Sequence, residues 1–494
     1  MADNQWYSGR LCRINNNCVD FKAEIEFDQY HRGIITVYGI TSENIKKFED
    51  HGDCSAVMLL ENDEYFSIFD FYVKERKYSS RYEGDELVFG KIILTLVSSS
   101  ILKGTNWISP EQEFPEISME ITDGYELIGT CPYNLDVGYE TMILCEKIEI
   151  PIQMEIICVN TIIGELQFEA MPKYHFCKNL FSLGFSHRIQ FKPSRPIKIK
   201  ELHSILQKIT DFFSLLCGEI VSINKLSLID NTDIMYNFIG YCNFPKEKLN
   251  VLDKKGIDST GFKRIALFKI TDFSDLEKSL NYWFEHYDCL YNAHQAYGRI
   301  LLDEDMEVVT INKYLAAMQL IEGVSQAYAD EEQEMLDFSI KKQAIISKLE
   351  DELDKELVEE GLQFSGITFR KGTIKYFFDG LNLLEPITKS AFNKRYKELI
   401  NMIVNDRNFY THSSRRIKAE LSFDEAMNVA ILCKNLYRIT MLEKIGISKS
   451  LLRYRTGHNR IFTNVLYNLL GIRIKIEGEM PRFDKEMSCF SDSK

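Results

Sequence analysis

Arg407 and His412 stand five positions apart in Arg407-Asn408-Phe409-Tyr410-Thr411-His412. An imidazole with a near-neutral pKa can move a proton at physiological pH. A guanidinium can hold the charge that builds on phosphoryl oxygens. RNA carries its own nucleophile, the 2′-hydroxyl, so one arginine and one histidine without a metal suit RNA cleavage. The motif follows Leu399-Ile400-Asn401-Met402-Ile403-Val404, which reads as the apolar face of a helix. On a continuous helix two residues five apart point about 140° apart. Ser413-Ser414-Arg415-Arg416 suggests a helix end after His412. The pattern therefore predicts Arg407 in the last turn, with His412 swinging back toward it. The helix C-terminus would favour imidazolium there. Two copies facing across a dimer two-fold would supply both an acid and a base.

Spacing alone leaves another reading open. With 20 arginines and 9 histidines in 494 residues, roughly 0.4 such pairs arise by chance. A second pair is present, Arg453-Tyr454-Arg455-Thr456-Gly457-His458. Either could be a C-capping histidine beside a surface arginine. Other catalytic signatures are absent: no GxxxxGK[ST], no GxGxxG after a strand, no HExxH, no GxSxG. His286 and His294 read as core or surface histidines. The histidines are dispersed and no CxxC occurs, so neither a metal nor a cofactor is expected.

The elements that must carry the motif divide the chain in two. Val19–Asp28, Ser55–Glu61, Tyr65–Val73, Val88–Val97, Tyr139–Ile150, Met154–Asn160 and Gly164–Ala170 alternate as strands. Glu219–Ile229, Ile234–Asn243 and Arg264–Ile270 follow in the same style. One helix interrupts them, Ile199–Cys217. Helical periodicity then takes over. Ser274-Asp275-Leu276-Glu277 reads as a capping box before a stretch reaching about Leu302. Further helices read at 306–330, 334–358, 387–411, 422–446 and 448–470, with a second capping box at Ser422-Phe423-Asp424-Glu425. The expected class is α+β. A β-rich N-terminal domain with one helix spans 1–272, and an all-α helical bundle spans 273–494 with its core at about 306–475.

Composition bounds the partners. The 59 Lys+Arg against 73 Asp+Glu give a net charge of −14, which argues against broad nucleic-acid binding but allows a local basic site. Residues 330–360 hold twelve acids against four lysines, more than half of the net charge. They read as a solvated face, or as a segment that competes with RNA at rest. The purest apolar runs, such as Ile92–Val97, are about a third of the roughly 18 residues a membrane helix needs. Twelve scattered cysteines and an unremarkable N-terminus suggest a reduced, cytoplasmic chain without a membrane span.

The stretch Ile403–His412 resembles the signature of HEPN-domain ribonucleases: Arg, a polar residue, three more residues, His. Asn408 fills the polar position, whereas Tyr454 and Gly457 depart from it in the second copy. Tyr314–Gly323 resembles the first helix of the HEPN domain in ApeA-type proteins, and Leu436–Thr440 with Met441–Gly446 resembles a later one. Pro196-Ile197-Lys198 through Leu216-Cys217-Gly218-Glu219 resembles the ApeA N-terminal domain. The resemblance implies an anti-phage endoribonuclease, metal-independent, silent before infection and paired through its HEPN domains. It implies catalytic Arg407 and His412 supported by Asn408, with Glu322 orienting Arg407. Arg415, Arg416 and Lys418 would bind RNA, with Tyr410 and Phe409 able to stack bases. Arg453, Arg455 and Arg460 form a second basic stretch. A phage-derived trigger is an expected partner. The competing readings are a non-catalytic HEPN scaffold that binds RNA or a partner protein, and an N-terminal module for a carbohydrate or nucleotide.

Overall fold

A computed structural model describes residues 6–14, 17–27, 32–48, 55–83, 86–98, 100–122, 124–128, 134–138, 143–149, 156–177, 180–241, 268–305, 310–328, 331–361, 369–412 and 418–474. The strands are β1 (Trp6–Ile14), β2 (Asn17–Phe27), β3 (Gly33–Ile40), β4 (Ser55–Leu60), β5 (Tyr65–Phe69), β6 (Tyr72–Glu83), β7 (Glu86–Ser98), β8 (Ser100–Gly104), β9 (Glu113–Phe114), β10 (Glu116–Ile121), β11 (Asn134–Gly138), β12 (Ile143–Glu149), β13 (Ile156–Thr161), β14 (Gly164–Cys177), β15 (Leu180–Pro193), β16 (Ile197–Lys198), β17 (Ile223–Ile229) and β18 (Met235–Tyr241). Fourteen of them form one antiparallel sheet in the order β13-β14-β15-β10-β17-β18-β8-β5-β4-β1-β2-β3-β7-β6.

The helices are α1 (Ser42–Ile45), α2 (Gly124–Ile128), α3 (Ile199–Cys217), α4 (Leu276–His286), α5 (Tyr291–Asp305), α6 (Ile311–Ala327), α7 (Glu331–Ile346), α8 (Glu352–Gly361), α9 (Phe369–Leu384), α10 (Lys389–His412), α11 (Phe423–Lys444), α12 (Lys449–Gly457) and α13 (Arg460–Leu470). The α+β class therefore holds: a large antiparallel sheet, then a helical bundle. None of the described helices is long and apolar enough to cross a membrane.

Several sequence expectations are corrected. The stretch 334–358 is two helices, because the Asp351 carboxylate accepts from Leu353 N at 2.7 Å and starts α8 anew. The stretch 448–470 breaks likewise at Asn459, which caps α13 by accepting from Phe462 N. The stretch to Leu302 is α4 and α5, and α6 is shorter than 306–330. The cap of α4 is Asp275, accepting from Lys278 N, and not Ser274. The Ser422 capping box is present. The strand Tyr65–Val73 splits at Asp70, whose φ of 52° leaves the extended region. At the end of Arg264–Ile270 a 3₁₀ turn over Ile270–Asp272 replaces a strand, and 264–267 lie outside the described residues. Helix α9 was not expected at all. Gly372 and Gly380 interrupt its pattern, yet a Cβ at Gly380 would meet Leu436 at 3.0 Å, so glycine is what lets α9 approach α11.

Two apolar clusters hold these layers. One lies within the β1–β8 part of the sheet, around Leu11, Ile35, Met58, Phe66 and Leu94. The other is continuous from the β10–β14–β15–β17 part through α3 into the helical bundle, crossing residue 272 without a break. Its sheet side alternates, as in Ile117 and Met119 or Ile189 and Phe191. Its α3 side is the stripe Leu202, Leu206, Ile209, Phe213, Leu216, spaced at a helical period.

The seam between α3 and the bundle is polar as well as apolar. Arg438 on α11 donates from Nε to Leu215 O at 2.8 Å and from Nη2 to Leu216 O at 2.5 Å. These are last-turn carbonyls with no partner in their own helix. Gly218 closes α3 at φ 77°, and a Cβ there would lie 2.6 Å from Arg438 Nη1. Arg455 pairs with Asp272, and both guanidiniums lie over the Phe268 ring, at 5.4 and 5.0 Å. Tyr287 Oη donates to Asp211 at 2.5 Å, while Tyr437 Oη meets His294 Nδ1 at 2.7 Å.

Burial pushes the Asp211 carboxyl up to about 6, against the bond from Tyr287, and pushes His294 down to about 3. Folding therefore gives Asp211 a proton between roughly pH 4 and 6 and denies His294 one below roughly pH 6.5. Acid strengthens the fold through Asp211 and weakens it through His294, so the two slopes oppose. Asp211→Asn should lose stability relative to wild type as pH falls from 6.5 to 4. His294→Gln should gain it over the same window. Urea midpoints at pH 7, 6 and 5 give the signs, and parallel profiles for both variants would refute the assignment.

Candidate active site

Helix α10 carries the motif, and its anchors are local. Tyr314 of α6, fully buried, donates from Oη to Ile403 O at 3.0 Å. Asp406, also fully buried, accepts from Glu420 N at 2.6 Å and Leu421 N at 3.1 Å. It thus ties the C-terminal third of α10 to the chain entering α11. Burial pushes this carboxyl up although both bonds favour its charge. Asn405 Nδ2 donates to Glu420 Oε1 at 2.7 Å.

Arg407 is held on three sides. Its Nη2 donates to Glu322 Oε1 on α6, and its Nη1 to Asn408 Oδ1 at 3.3 Å. Its guanidinium lies over the ring of Phe369, the first residue of α9, at 5.1 Å. The side chains of Arg407 and Glu322 keep 22% and 30% of their surface, so the pair faces solvent on one side. Glu322 sits where it does because Gly323 lets α6 press on α5. A Cβ at 323 would lie 2.7 Å from Ala293 N.

The expected break of the helix between Arg407 and His412 does not occur. Helix α10 continues through His412, with Thr411 Oγ1 donating back to Arg407 O at 2.7 Å. The backbone positions of the two motif residues therefore lie about 140° apart around the helix axis. The His412 side chain, Arg415 and Arg416 lie outside what the structure describes. Lys418 is exposed. Tyr410 is half-buried, its ring edge-on to Tyr314 at 6.0 Å and to Phe409 at 5.0 Å.

The second copy is built into the fold. Arg453 donates to Leu383 O at 2.8 Å at the end of α9, and Arg455 is buried against Asp272. The second basic stretch therefore does not stand as one surface patch. His458 is the C-cap residue of α12 and bonds through Nδ1 to Tyr454 O at 2.8 Å. His294 is buried in the core, and His286 stacks on Tyr282 at 4.0 Å. Among the described residues no group of three His, Cys, Asp or Glu is placed to hold a metal ion. Sequence reasoning missed Phe369, Tyr314 and Asp406 as positioning groups. Only Asp406 carried a signal, an acid beside Arg407 in an otherwise apolar run.

An antiparallel sheet in front of a helical bundle that presents Arg-Asn-x3-His on one helix defines a HEPN-domain protein with an appended β domain. Residues 5–283 match the family of ApeA N-terminal domain 1, and residues 315–451 match the Apea-like HEPN family. The chain belongs to the ApeA family, with its two-part architecture. HEPN domains are generally ribonucleases and commonly dimerise. No curated protein and no solved structure matches the chain.

The glycine contacts make an opposed pair of expectations. Gly323→Ala must displace α5 backbone, which typically costs about 1–3 kcal/mol, and shifts Glu322. At Gly298 on α5 a Cβ would meet nothing within 4 Å. Gly298→Ala should stabilise by about 0.5–1 kcal/mol through helix propensity. Urea unfolding of both variants checks the two signs.

Proposed function

We propose that this chain is a metal-independent endoribonuclease of bacterial anti-phage defence. It acts in the cytoplasm on tRNA or another translation-related RNA. The observation that carries this reading is the Arg407 guanidinium, held by Glu322, Asn408 and the Phe369 ring while part of its surface still reaches solvent, in a HEPN domain of ApeA type. A guanidinium fixed this way meets a phosphate without reorganising, which is where charge stabilisation is strongest. His412 moves the proton of the 2′-hydroxyl or of the leaving oxygen. Asn408 supports Arg407, and Glu322 orients it. Arg415, Arg416 and Lys418 hold the RNA backbone. The N-terminal domain, about 1–272, regulates the HEPN domain and answers a phage-derived trigger.

Arg407→Ala and His412→Ala should each cut the cleavage rate and growth toxicity by about 100-fold or more. Both should unfold at the wild-type urea midpoint to within about 1 kcal/mol, since the ion pair is partly solvated. His458→Ala should cleave normally, and a dead His458→Ala beside an active His412→Ala would move the site. A wild-type chain that binds RNA or a protein but never cuts would instead establish the non-catalytic scaffold.

The chemistry and the assembly have their own readouts. Cleavage should persist in EDTA and leave a 2′,3′-cyclic phosphate or its hydrolysed form, with a 2′-O-methyl strand inert. Strict Mg²⁺ dependence would overturn the 2′-hydroxyl mechanism. The active species should be at least a dimer through the HEPN domains, pairing two motif copies. A fully active monomer in light scattering at working concentration would refute the composite site.

A further inference from the structure

A small cavity lies where α3 of the N-terminal part meets α4 and α5. Asp211, Ser214, Trp283, His294, Tyr297 and Gly298 contribute to its lining. Its volume, counted for the centre of a water-sized sphere, is about 10 Å³. That is room for about one water molecule. A nucleotide or any drug-sized effector needs a pocket of hundreds of Å³, so this conformation admits none.

The lining is more polar than the protein itself satisfies. Tyr297 Oη and His294 Nε2 are buried and find no hydrogen-bond partner among the described residues. Both residues are 4% exposed. The neighbouring polar groups are engaged elsewhere. Ser214 Oγ accepts from Val221 N at 2.9 Å and donates to Thr210 O at 2.8 Å. Trp283 Nε1 donates to Lys208 O at 2.9 Å. Asp211 receives Tyr287 Oη, and His294 uses Nδ1 on Tyr437. A buried hydroxyl or ring nitrogen left bare costs as much as a lost hydrogen bond, and two such atoms on residues lining one small, mostly apolar cavity call for a shared partner that can both donate and accept.

We propose that this cavity is a binding site for a single ordered water, held by His294 Nε2 and Tyr297 Oη. The site sits at the seam of the two parts, with α3 forming one wall and α5 the other. It also lies close to the active centre through backbone. Ala293, next to His294, is the residue against which Gly323 packs, and Gly323 adjoins Glu322. The water thus sets the resting position of the helix on which Glu322 leans. The site itself is independent of the ribonuclease reading. Only its bearing on Arg407 rests on that reading.

Tyr297→Phe in the full chain tests the water by sign. If the water is held, the variant loses a hydrogen bond, and its thermal midpoint falls by about 2 °C. If the cavity is dry, the variant sheds a bare hydroxyl, and the midpoint stays or rises. Either of those results overturns the proposal. A crystal structure of the wild-type chain gives the direct answer. Density within about 3.2 Å of both atoms is expected, and an empty cavity refutes the site. Hydrogen exchange of peptides covering 311–327 should rise several-fold in Tyr297→Phe, and unchanged exchange would remove the link to α6. None of these readouts uses RNA, so their failure is distinct from a failure to cleave.

Discussion

Arg438 is the group on which the arrangement of the two parts depends. Helix α3 ends inside the protein, and a helix end leaves carbonyls without partners. Arg438 satisfies Leu215 O and Leu216 O from α11, the central helix of the bundle. A cation at a helix C-terminus also meets the negative end of the dipole. The constraint runs both ways. Without α3, the buried Arg438 guanidinium would lose two hydrogen bonds, and a buried donor left unmet costs about 1–3 kcal/mol. Burial already lowers its pKa. Gly218 belongs to the same device, since any side chain there would occupy the guanidinium's place. The sheet domain and the helical bundle are therefore not separable by removing apolar contacts alone.

From that seam the geometry passes inward by close backbone contact. The stack of Tyr287 on His294, 4.6 Å apart, fixes α4 against α5. Ala293 against Gly323 fixes α5 against α6. Glu322 and Tyr314 then fix α6 against α10 from two points, one polar and one through a backbone carbonyl. The Glu322–Arg407 pair is partly solvated, so its contribution to stability is small. What it supplies is direction: a guanidinium drawn toward α6 with part of its surface still reaching solvent. The acid count near the motif changes accordingly. The run from Arg407 to Lys418 contains no acid in sequence, yet folding brings Glu322 to Arg407 and Glu420 to Asn405.

The parts of this fold that were legible in the sequence share one property, a local signal that packing did not overrule. The α3 stripe, the Ser422 capping box and the β14 alternation were of this kind. Helix α9 was not, because its glycines lower helix propensity and serve a tertiary contact with Leu436 instead. Breaks in long helices were missed because periodicity carries through a single capping residue such as Asp351 or Asn459. At the site, Arg407 and Asn408 were legible as a motif, and Glu322 only through the family's first helix. Phe369 had no signal, since its contact with Arg407 joins residues 38 apart in sequence across two helices. The helix was expected to end or distort between Arg407 and His412 for the pair to meet, and α10 runs unbroken through both.

That continuation bears most directly on how the proposed chemistry can be assembled. Five residues of helix rise about 7.5 Å and turn about 500°, which leaves two side chains about 140° apart around the axis. Arg407 uses its side of α10 to meet α6 and α9 of its own chain. One phosphate cannot sit on both sides of a helix at once. On the ribonuclease reading, a two-fold axis would let the Arg407 side of one copy and the His412 position of its partner flank one phosphate. On the ribonuclease reading, then, the unbroken helix is itself the argument for a composite site. A helix that ended at Arg407 would have let a single chain complete the pair.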